Sequence, residues 1–266
     1  MSGDEVATLI LSAIVALVSW AAFYIGPTFV IHVGRRPAGS RLMRLAPILA
    51  AALLWVVLRN ASSLDVRDDP RYLTFYPVLG AAWVGVWIRC LAITGISMRD
   101  DVVERSNGSA SIAITGAMLG ITLCYAGGNI GNGPGWWVVV FSAGLACVAL
   151  FAAWMVLEAV SAVSDTVTVE RDPSGGLRLA GFLVACGLIL GRSVAGDWVS
   201  AEATVRDFAL AAWPVVLLVV VAAIVERLAR PTTASPRPAL VPYGIFPALL
   251  YIGAAAYQVM RLGLSV

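Results

Sequence analysis

Three arginines occupy similar places near one end of separate apolar stretches, where a charged side chain is costly. Arg59, Arg192 and Arg261 lie towards the same end of the second, sixth and eighth stretches. An ionisable group costs about 2.5–3.5 kcal/mol near the centre of a membrane, so each is a candidate functional residue. If the fold brings them together, they form an outer vestibule that attracts anions or lipid headgroups, and Asp197 could neutralise Arg192. Alternatively, each side chain extends separately to the phosphate headgroups.

A second candidate pair, Arg89 and Glu158, lies towards the inner ends of the third and fifth apolar stretches. An ion pair inside the membrane is one interpretation, and separate anchoring at the interface is the other. Glu158 and Glu226 each follow an apolar stretch that contains a tryptophan, so they could be equivalent positions of an internal repeat. A carboxylate that couples proton or ion movement is the chemistry that such a position would allow.

An uncharged segment rich in glycine and asparagine, residues 127–137, contains the remaining candidates, Asn129 and Asn132. Gly and Asn permit tight turns and left-handed backbone conformations, and Pro134 can begin a helix. One interpretation is a compact loop followed by a tryptophan anchor at the membrane interface. The other is a re-entrant, filter-like element whose amides and carbonyls contact an ion.

The composition of this chain indicates a membrane protein, most of whose surface faces lipid. Of its 266 residues, 60% are hydrophobic, and the mean hydropathy is +0.87. That leaves too little polar surface to cover a water-soluble globule. The net charge of +2 provides no broad basic field, so no nucleic-acid partner is expected.

The side chains that most enzymes and cofactors require are scarce. All 18 basic residues are arginine, which excludes Schiff-base chemistry on a lysine amine. The single histidine, His32, does not suffice for a bis-histidine haem or a histidine-rich zinc site. No disulfide or metal cluster is expected, since the four cysteines fall one per stretch: Cys90, Cys124, Cys147 and Cys186. With no recognisable catalytic motif, we expect a non-enzymatic protein without a cofactor or metal.

Eight stretches are long and apolar enough to cross a hydrocarbon core of about 30 Å. They are continuously apolar rather than alternating, which favours helices over barrel strands. The sequence therefore predicts an all-α, polytopic membrane protein, with spans at about 6–33, 45–62, 73–98, 109–130, 136–163, 177–199, 208–226 and 241–262.

Arginines concentrate in the loops on one side of these spans, so the positive-inside rule gives an orientation. Few arginines outside the span ends lie on the other side, chiefly Arg67, Arg71 and Arg206. We expect a multi-pass protein of the bacterial inner membrane with both termini on the outer face. The arginines assigned to the inner loops are Arg35, Arg36, Arg41, Arg44, Arg99, Arg105, Arg171, Arg178, Arg227, Arg230 and Arg237.

The chain also resembles itself in units of two spans. Residues 103–116, which contain the sequence VERSNGS, resemble residues 169–181, which contain VERDPSG. Because each unit has an even number of spans, all copies point the same way. We predict one transmembrane domain built of four parallel helical hairpins, at approximately 1–66, 67–132, 133–198 and 199–266.

Small residues recur four positions apart in the returning helices of these units. The pairs are Gly116 with Gly120, Gly127 with Gly131, and Gly187 with Gly191. Such spacing lets helix backbones approach closely in a membrane. Packing is the main interpretation, and a narrow pore wall or a ligand contact is the alternative.

The third to sixth spans, residues 74–198, resemble the bacterial inner-membrane family known as domain of unknown function 350. The resemblance rests on the motif NGSASI at 107–112, on TGAMLG at 115–120 and on the matching glycines at 175–181. It implies a fold of helical hairpins in four spans, but no reaction or ligand. This chain has two further spans on each side, which suggests two such four-span units fused into one chain.

These observations favour a non-enzymatic subunit or scaffold of an envelope or membrane complex. Its expected partners are membrane lipids and other membrane proteins or further copies of itself. The competing hypothesis is an ion channel or a transporter of small solutes or lipids with an arginine-lined outer vestibule. Its candidate binding or permeation residues are Arg59, Arg89, Asn129, Asn132, Glu158, Arg192 and Asp197.

Overall fold

The structure, a computed structural model, describes residues 1–30, 40–232 and 238–263. Within these ranges the chain is helical, and extended backbone pairs only at an isolated bridge between Ser62 and Gly131. The α-helices are α1 (Gly3–Val30), α2 (Ser40–Asn60), α3 (Leu64–Arg67), α4 (Pro70–Arg89), α5 (Gly108–Gly128), α6 (Trp136–Ser161), α7 (Val163–Thr168), α8 (Pro173–Ser193), α9 (Ala201–Ala212), α10 (Pro214–Ala229) and α11 (Phe246–Leu262). Cys90–Thr94 forms a 3-10 helix, and Met98–Glu104 and Val241–Ile245 form π-helical turns.

Eight helical segments of the described chain are long and apolar enough to cross a membrane, which confirms the all-α, eight-span prediction. The ends of some segments differ from those predicted. The sixth begins at Pro173 rather than at residue 177, and the seventh begins at Ala201 because α9 continues into α10. The segments are Gly3–Ile25, Leu42–Asn60, Pro70–Thr94, Gly108–Gly128, Trp136–Ser161, Pro173–Ser193, Ala201–Ala229 and Val241–Leu262.

The early start of α8 follows from its first residues. The Asp172 carboxylate accepts hydrogen bonds from the backbone N–H groups of Ser174 at 3.0 Å and Gly175 at 2.9 Å. Pro173 occupies the first helical position, where its missing N–H costs nothing. Asn107 caps α5 with its side chain in the same way. Both central helices therefore begin at a cap that the sequence contains.

Four helices, α2, α5, α8 and α11, form a row in which each packs against the next. Helices α4, α6 and α10 lie against this row, and α1 packs on α4. The α5 segment is 83% buried and the α8 segment 78%, whereas the first and seventh segments are each 17% buried. The core of the molecule is therefore the α5–α8 pair.

Glycines make the α5–α8 contact unusually close. A Cβ atom added to Gly116 would clash with the backbone of Ala180, and one added to Gly127 would clash with the backbone of Gly191. A Cβ added to Gly187 would lie 2.6 Å from the backbone oxygen of Gly120. Since no larger residue fits without moving a backbone, the packing interpretation is confirmed for these three glycines. The predicted pairing of Gly127 with Gly131 on one helix face is wrong, because α5 ends at Gly128 and Gly131 lies in the following loop with a φ of 107°.

The bundle has two polar ends. The terminal face comprises the start of α1, the end of α11 and residues 129–135, and the indole of Trp136 donates to Asp4 there at 3.3 Å. The loop face lies opposite and comprises α7 and the start of α8. There the amide of Asn107 donates to the backbone oxygen of Val167 at 2.8 Å. Each face thus has its own set of polar contacts between neighbouring hairpins.

Candidate functional site

A buried cluster of three charged side chains lies near the loop face, between α8 and α10. Arg178 Nε donates to Glu226 Oε1 at 2.8 Å, and Nη2 donates to Oε2 at 2.9 Å. Nη2 also lies 3.8 Å from Asp172 Oδ2. The side chain of Arg178 is 0% exposed, and those of Glu226 and Asp172 are 4% and 3% exposed. This bidentate, water-excluded pair is geometrically suited to a strong charge interaction.

The same guanidinium group reaches a third chain segment. Arg178 Nη1 donates to the backbone oxygen of Tyr243 at 2.6 Å, so it joins α8 and α10 to the turn before α11. Tyr251 of α11 is also buried, and its hydroxyl has no hydrogen-bond partner among the described residues. The cluster therefore fixes the last two spans on the central helix pair.

The position of Arg178 inside α8 makes its ion pair important for stability. It is the sixth residue of α8, roughly 8 Å from the helix start at about 1.5 Å per residue. Removing one partner of a buried pair leaves an uncompensated charge and costs about 3–5 kcal/mol. The geometry thus supports a structural role, in which the cluster holds α8, α10 and the turn before α11 in one arrangement.

Glu158 and Arg89, the predicted candidate pair, do not form an ion pair. Glu158 Oε1 accepts from the Ser164 hydroxyl at 2.6 Å, and Oε2 accepts from the Ser164 backbone N–H at 2.8 Å. The chain reverses at Ala162, where φ is 48°, and this turn brings α7 back to the carboxylate. Arg89 is exposed at the end of α4 and lines an apolar cavity with Arg99. The ion-pair interpretation is therefore wrong, and the two side chains act separately.

The three arginines predicted to converge each have their own surroundings. Arg59 Nη1 donates to the backbone oxygen of Arg67 at 2.8 Å. Arg192 Nε donates to the backbone oxygen of Gly263 at 2.8 Å, which ties the end of α8 to the end of α11. Arg261 is exposed. Two of these guanidinium groups are held by carbonyl groups at helix ends, so each has a partner within the protein, and the convergence of the three arginines stays a prediction.

Asp197 does not neutralise Arg192, because it is engaged elsewhere. Its Oδ1 accepts from the backbone N–H of Asn132 at 2.7 Å and from the Asn132 side-chain amide at 2.9 Å. Next to it, the N–H of Gly196 donates to the oxygen of Ile130 at 3.0 Å. Residues 130–132 are thus joined to 196–198 in a compact loop, which agrees with the first interpretation of this segment.

A cavity of about 300 Å³ lies at the terminal face, beside this loop. Its lining includes side chains of α4, α6 and α9 and the start of α1, and none of the lining residues is an arginine. The charge of this opening is therefore opposite to that of the predicted arginine-lined vestibule. Its carboxylates belong to Glu5, Asp65, Asp197 and Asp207.

Asn129 lines the same cavity at the end of α5 and is 6% exposed. Its Nδ2 donates to the backbone oxygen of Tyr125 at 2.8 Å, which fixes the amide. Its Oδ1 has no hydrogen-bond partner among the described residues. A buried acceptor without a donor costs about 1–3 kcal/mol, so this oxygen requires an explanation.

The Arg178 cluster is the main feature that the sequence prediction missed. The sequence predicts a loop position for Arg178, but α8 begins five residues before it. The signal was present in Asp172 followed by Pro173, which is typical of a helix start. No local sequence pattern predicts the pairing of Arg178 with Glu226, because the two residues come from different hairpins.

The predicted absence of a metal or cofactor stays a prediction. No group of three histidine, cysteine, aspartate or glutamate side chains within the described ranges could hold a metal ion. The four cysteines are free, as predicted, and three of them are buried. His32 lies outside the described residues.

Comparison with known proteins leaves the chain without a recognised relative. No family model matches it, and neither a curated protein nor a solved structure with significant similarity is found. The resemblance to domain of unknown function 350 therefore stays a prediction. Over the described residues the chain is all-α, with eight helical segments able to span a membrane.

Proposed function

We propose that this protein is a non-enzymatic, multi-pass subunit or scaffold of a membrane complex. The observation that carries the proposal is the α5–α8 contact, in which the helix backbones approach closely at Gly116, Gly127 and Gly187. Because backbones in contact leave no opening, a solute does not pass between these two helices. A rigid centre of this kind suits a part that holds other membrane segments in position.

The outer helices of the bundle, which are the first two and the last two spans, supply the surface for such partners. The first and second spans are 17% and 28% buried, and the seventh and eighth are 17% and 22% buried. Lipids cover this surface unless other membrane proteins or another copy of the chain do. The Arg178 cluster supports the proposal because it fixes the arrangement of the last two spans.

We also propose the bacterial inner membrane as the location, with both termini on the outer face. The support is the positive-inside rule applied to the loop face, which carries Arg99, Arg105, Arg171, Arg227 and Arg230. A cysteine introduced near Ser2 should react with a membrane-impermeant reagent in intact cells. One introduced at Ser106 should react only after the cells are opened.

The four-hairpin repeat, and the family resemblance with it, belong to the same proposal. Ser106 and Arg171 occupy corresponding places before α5 and α8, and both have a φ of 53°. Gly131 and Gly196 occupy corresponding places after these helices, and both have positive φ. Recurrence of unusual backbone angles at matched positions supports a duplicated hairpin.

Crosslinking in native membranes tests the scaffold proposal. A photoreactive residue at Leu17 or Leu249, which are 72% and 63% exposed, should capture a protein that then purifies in stoichiometric amount. The matched control is the same residue at Ala117 in the core, which is 1% exposed and should capture only this chain. A chain that purifies alone from mild detergent and captures only lipid from both exposed positions would contradict the proposal.

Transport is the second candidate function, and the buried charges of the sixth and seventh spans favour it. Ionisable groups inside membrane spans commonly mark ion pathways. The test is flux into liposomes, compared between the wild type and four variants: Glu158→Gln, Arg192→Ala, Asp197→Asn and Glu226→Gln. Altered flux with an intact fold would support transport, whereas unchanged flux in all four would exclude these residues as its machinery.

A further inference from the structure

The terminal-face cavity combines negative charge with an oxygen that lacks a donor. Its lining contains four carboxylates and no arginine, and Asn129 is almost completely buried beside it. The Asn129 amide is already oriented by its bond to Tyr125, so Oδ1 cannot exchange places with Nδ2 without losing that bond. A ligand that satisfies both features carries a positive charge and at least one N–H or O–H donor.

The hydrogen bonds that these carboxylates accept within the protein do not neutralise their charge. Asp197 uses Oδ1 to bind Asn132, and Glu5 accepts from the hydroxyl of Tyr72 at 3.2 Å. These donors are neutral, so they do not cancel the charge. Two of the four carboxylates have a cationic neighbour: Arg206 lies 3.3 Å from Asp207 in a pair well exposed to solvent, and the N-terminal ammonium of Met1 lies 4.0 Å from Glu5 Oε2. The uncompensated charge at the cavity therefore belongs to Asp65 and Asp197, neither of which has an ion pair within the described residues.

The lining favours an organic cation over a metal ion. No three carboxylate, cysteine or histidine side chains of the described chain are grouped closely enough to hold a metal. Tyr72, Tyr76 and Trp198 add aromatic rings to the wall, and such rings attract organic cations. The volume of about 300 Å³ lies at the lower end of the range for small-molecule sites, so the ligand is small.

We propose that this cavity is a binding site for a small alkylammonium ion. An ammonium N–H donates to Asn129 Oδ1, and the charge faces Asp65 and Asp197. The alkyl part lies against the tyrosine rings. This site is independent of the scaffold role, since it lies on the terminal face and away from the lipid-facing surface of the end helices.

Calorimetric titration of the full chain in detergent with ethylammonium chloride tests the proposal. We expect saturable binding, and weaker binding of tetramethylammonium, which has the charge but no N–H. Neutralising the two carboxylates in the double variant Asp65→Asn/Asp197→Asn should weaken binding roughly tenfold, because each exposed charge contributes a factor of about three to five. Asparagine at 197 keeps an acceptor for Asn132, so the loop is preserved.

A matched control variant is Glu202→Gln, because Glu202 is an exposed carboxylate of α9 that does not line the cavity. It should bind ethylammonium as the wild type does. Asn129→Ala should weaken ethylammonium binding more than tetramethylammonium binding, which a general loss of the fold would not do.

Three results would overturn the assignment: no saturable heat with ethylammonium, equal or tighter binding of tetramethylammonium, or displacement of ethylammonium by equimolar sodium or calcium ions. An equal loss in Glu202→Gln and in the double variant would also overturn it, since binding would then follow net charge alone. None of these results bears on the capture of partners by Leu17 or Leu249, so the two proposals fail separately.

Discussion

The two polar ends of this bundle differ in whether their charged side chains are buried and paired or accessible to solvent. At the loop face, Arg178 and Glu226 are removed from water and satisfy each other with two hydrogen bonds. At the terminal face, the carboxylates around the cavity remain within reach of solvent, and a buried amide oxygen of Asn129 has no donor among the described residues. The difference indicates a division of roles: the first arrangement has the geometry that stabilises a fold, and the second has the geometry that leaves room for a ligand.

Breaking the loop-face pair should have the largest effect on stability. Glu226→Leu leaves the guanidinium of Arg178 buried without its main partner, so we expect the free energy of unfolding to fall by about 3–5 kcal/mol. Titration with sodium dodecyl sulfate in mixed micelles, followed by circular dichroism, measures this change. The double variant Arg178→Met/Glu226→Leu should recover most of the loss, and a double variant as unstable as the single one would contradict the assignment.

Disrupting the glycine contact between α5 and α8 should have the second-largest effect on stability. Gly127→Ala introduces a Cβ into the backbone of Gly191, which should cost about 1–3 kcal/mol of unfolding free energy. Gly253→Ala in α11 is the matched control, because no atom lies within 4 Å of a Cβ added there. The control should be neutral or stabilise by up to about 1 kcal/mol, as alanine does in helices. Equal destabilisation by both variants would show that contact with α8 is not the cause.

Weakening the loop beside the cavity should lower the unfolding free energy by a smaller amount. Asp197→Ala removes two hydrogen bonds to Asn132, and at this exposed position we expect a loss of about 1 kcal/mol. Amide hydrogen exchange at Asn132 should speed up in this variant and remain slow in Asp197→Asn, which keeps an acceptor. Unchanged protection in Asp197→Ala would show that the side chain does not hold the loop.

An exposed ion pair on the loop face should have the smallest effect. Arg99 lies 3.2 Å from Glu104, with side chains 74% and 42% exposed. Arg99→Ala should therefore change the unfolding free energy by less than about 1 kcal/mol, and less still at high salt. The same denaturant titration measures it, and an effect as large as that of Glu226→Leu would remove the distinction between buried and exposed pairs.

Much of the fold could be predicted from sequence because the bilayer imposes simple rules. Spans must be about 20 apolar residues long and helical, and small residues four apart mark close packing. The eight spans and the contacts of Gly116, Gly127 and Gly187 followed from these rules. Span ends were less predictable, since the cap at Asp172 and the continuation of α9 into α10 depend on local hydrogen bonding and not on hydropathy.

The site could be predicted only in part, because its partners come from distant parts of the chain. The sequence predicts candidate site residues at Asn129, Asn132 and Asp197, and the structure places all three at one cavity. What the sequence could not supply was the direction of each side chain. Arg192 points to a carbonyl of the last span, and Glu158 turns back to Ser164. An arginine near a span end has both carbonyl and phosphate groups within reach, and only tertiary packing decides between them.

The pairing of Arg178 with Glu226 also constrains the order of events during biosynthesis. Glu226 is made 48 residues after Arg178, so the sixth span enters the translocation machinery before its carboxylate partner exists. An arginine within a span opposes insertion by as much as about 2.5–3.5 kcal/mol at the helix centre. Asp172, which precedes Arg178 in the chain, is the acidic partner that has already been made at that stage. We therefore expect a nascent chain that ends between the sixth and seventh spans to integrate its sixth span less stably than the full chain does.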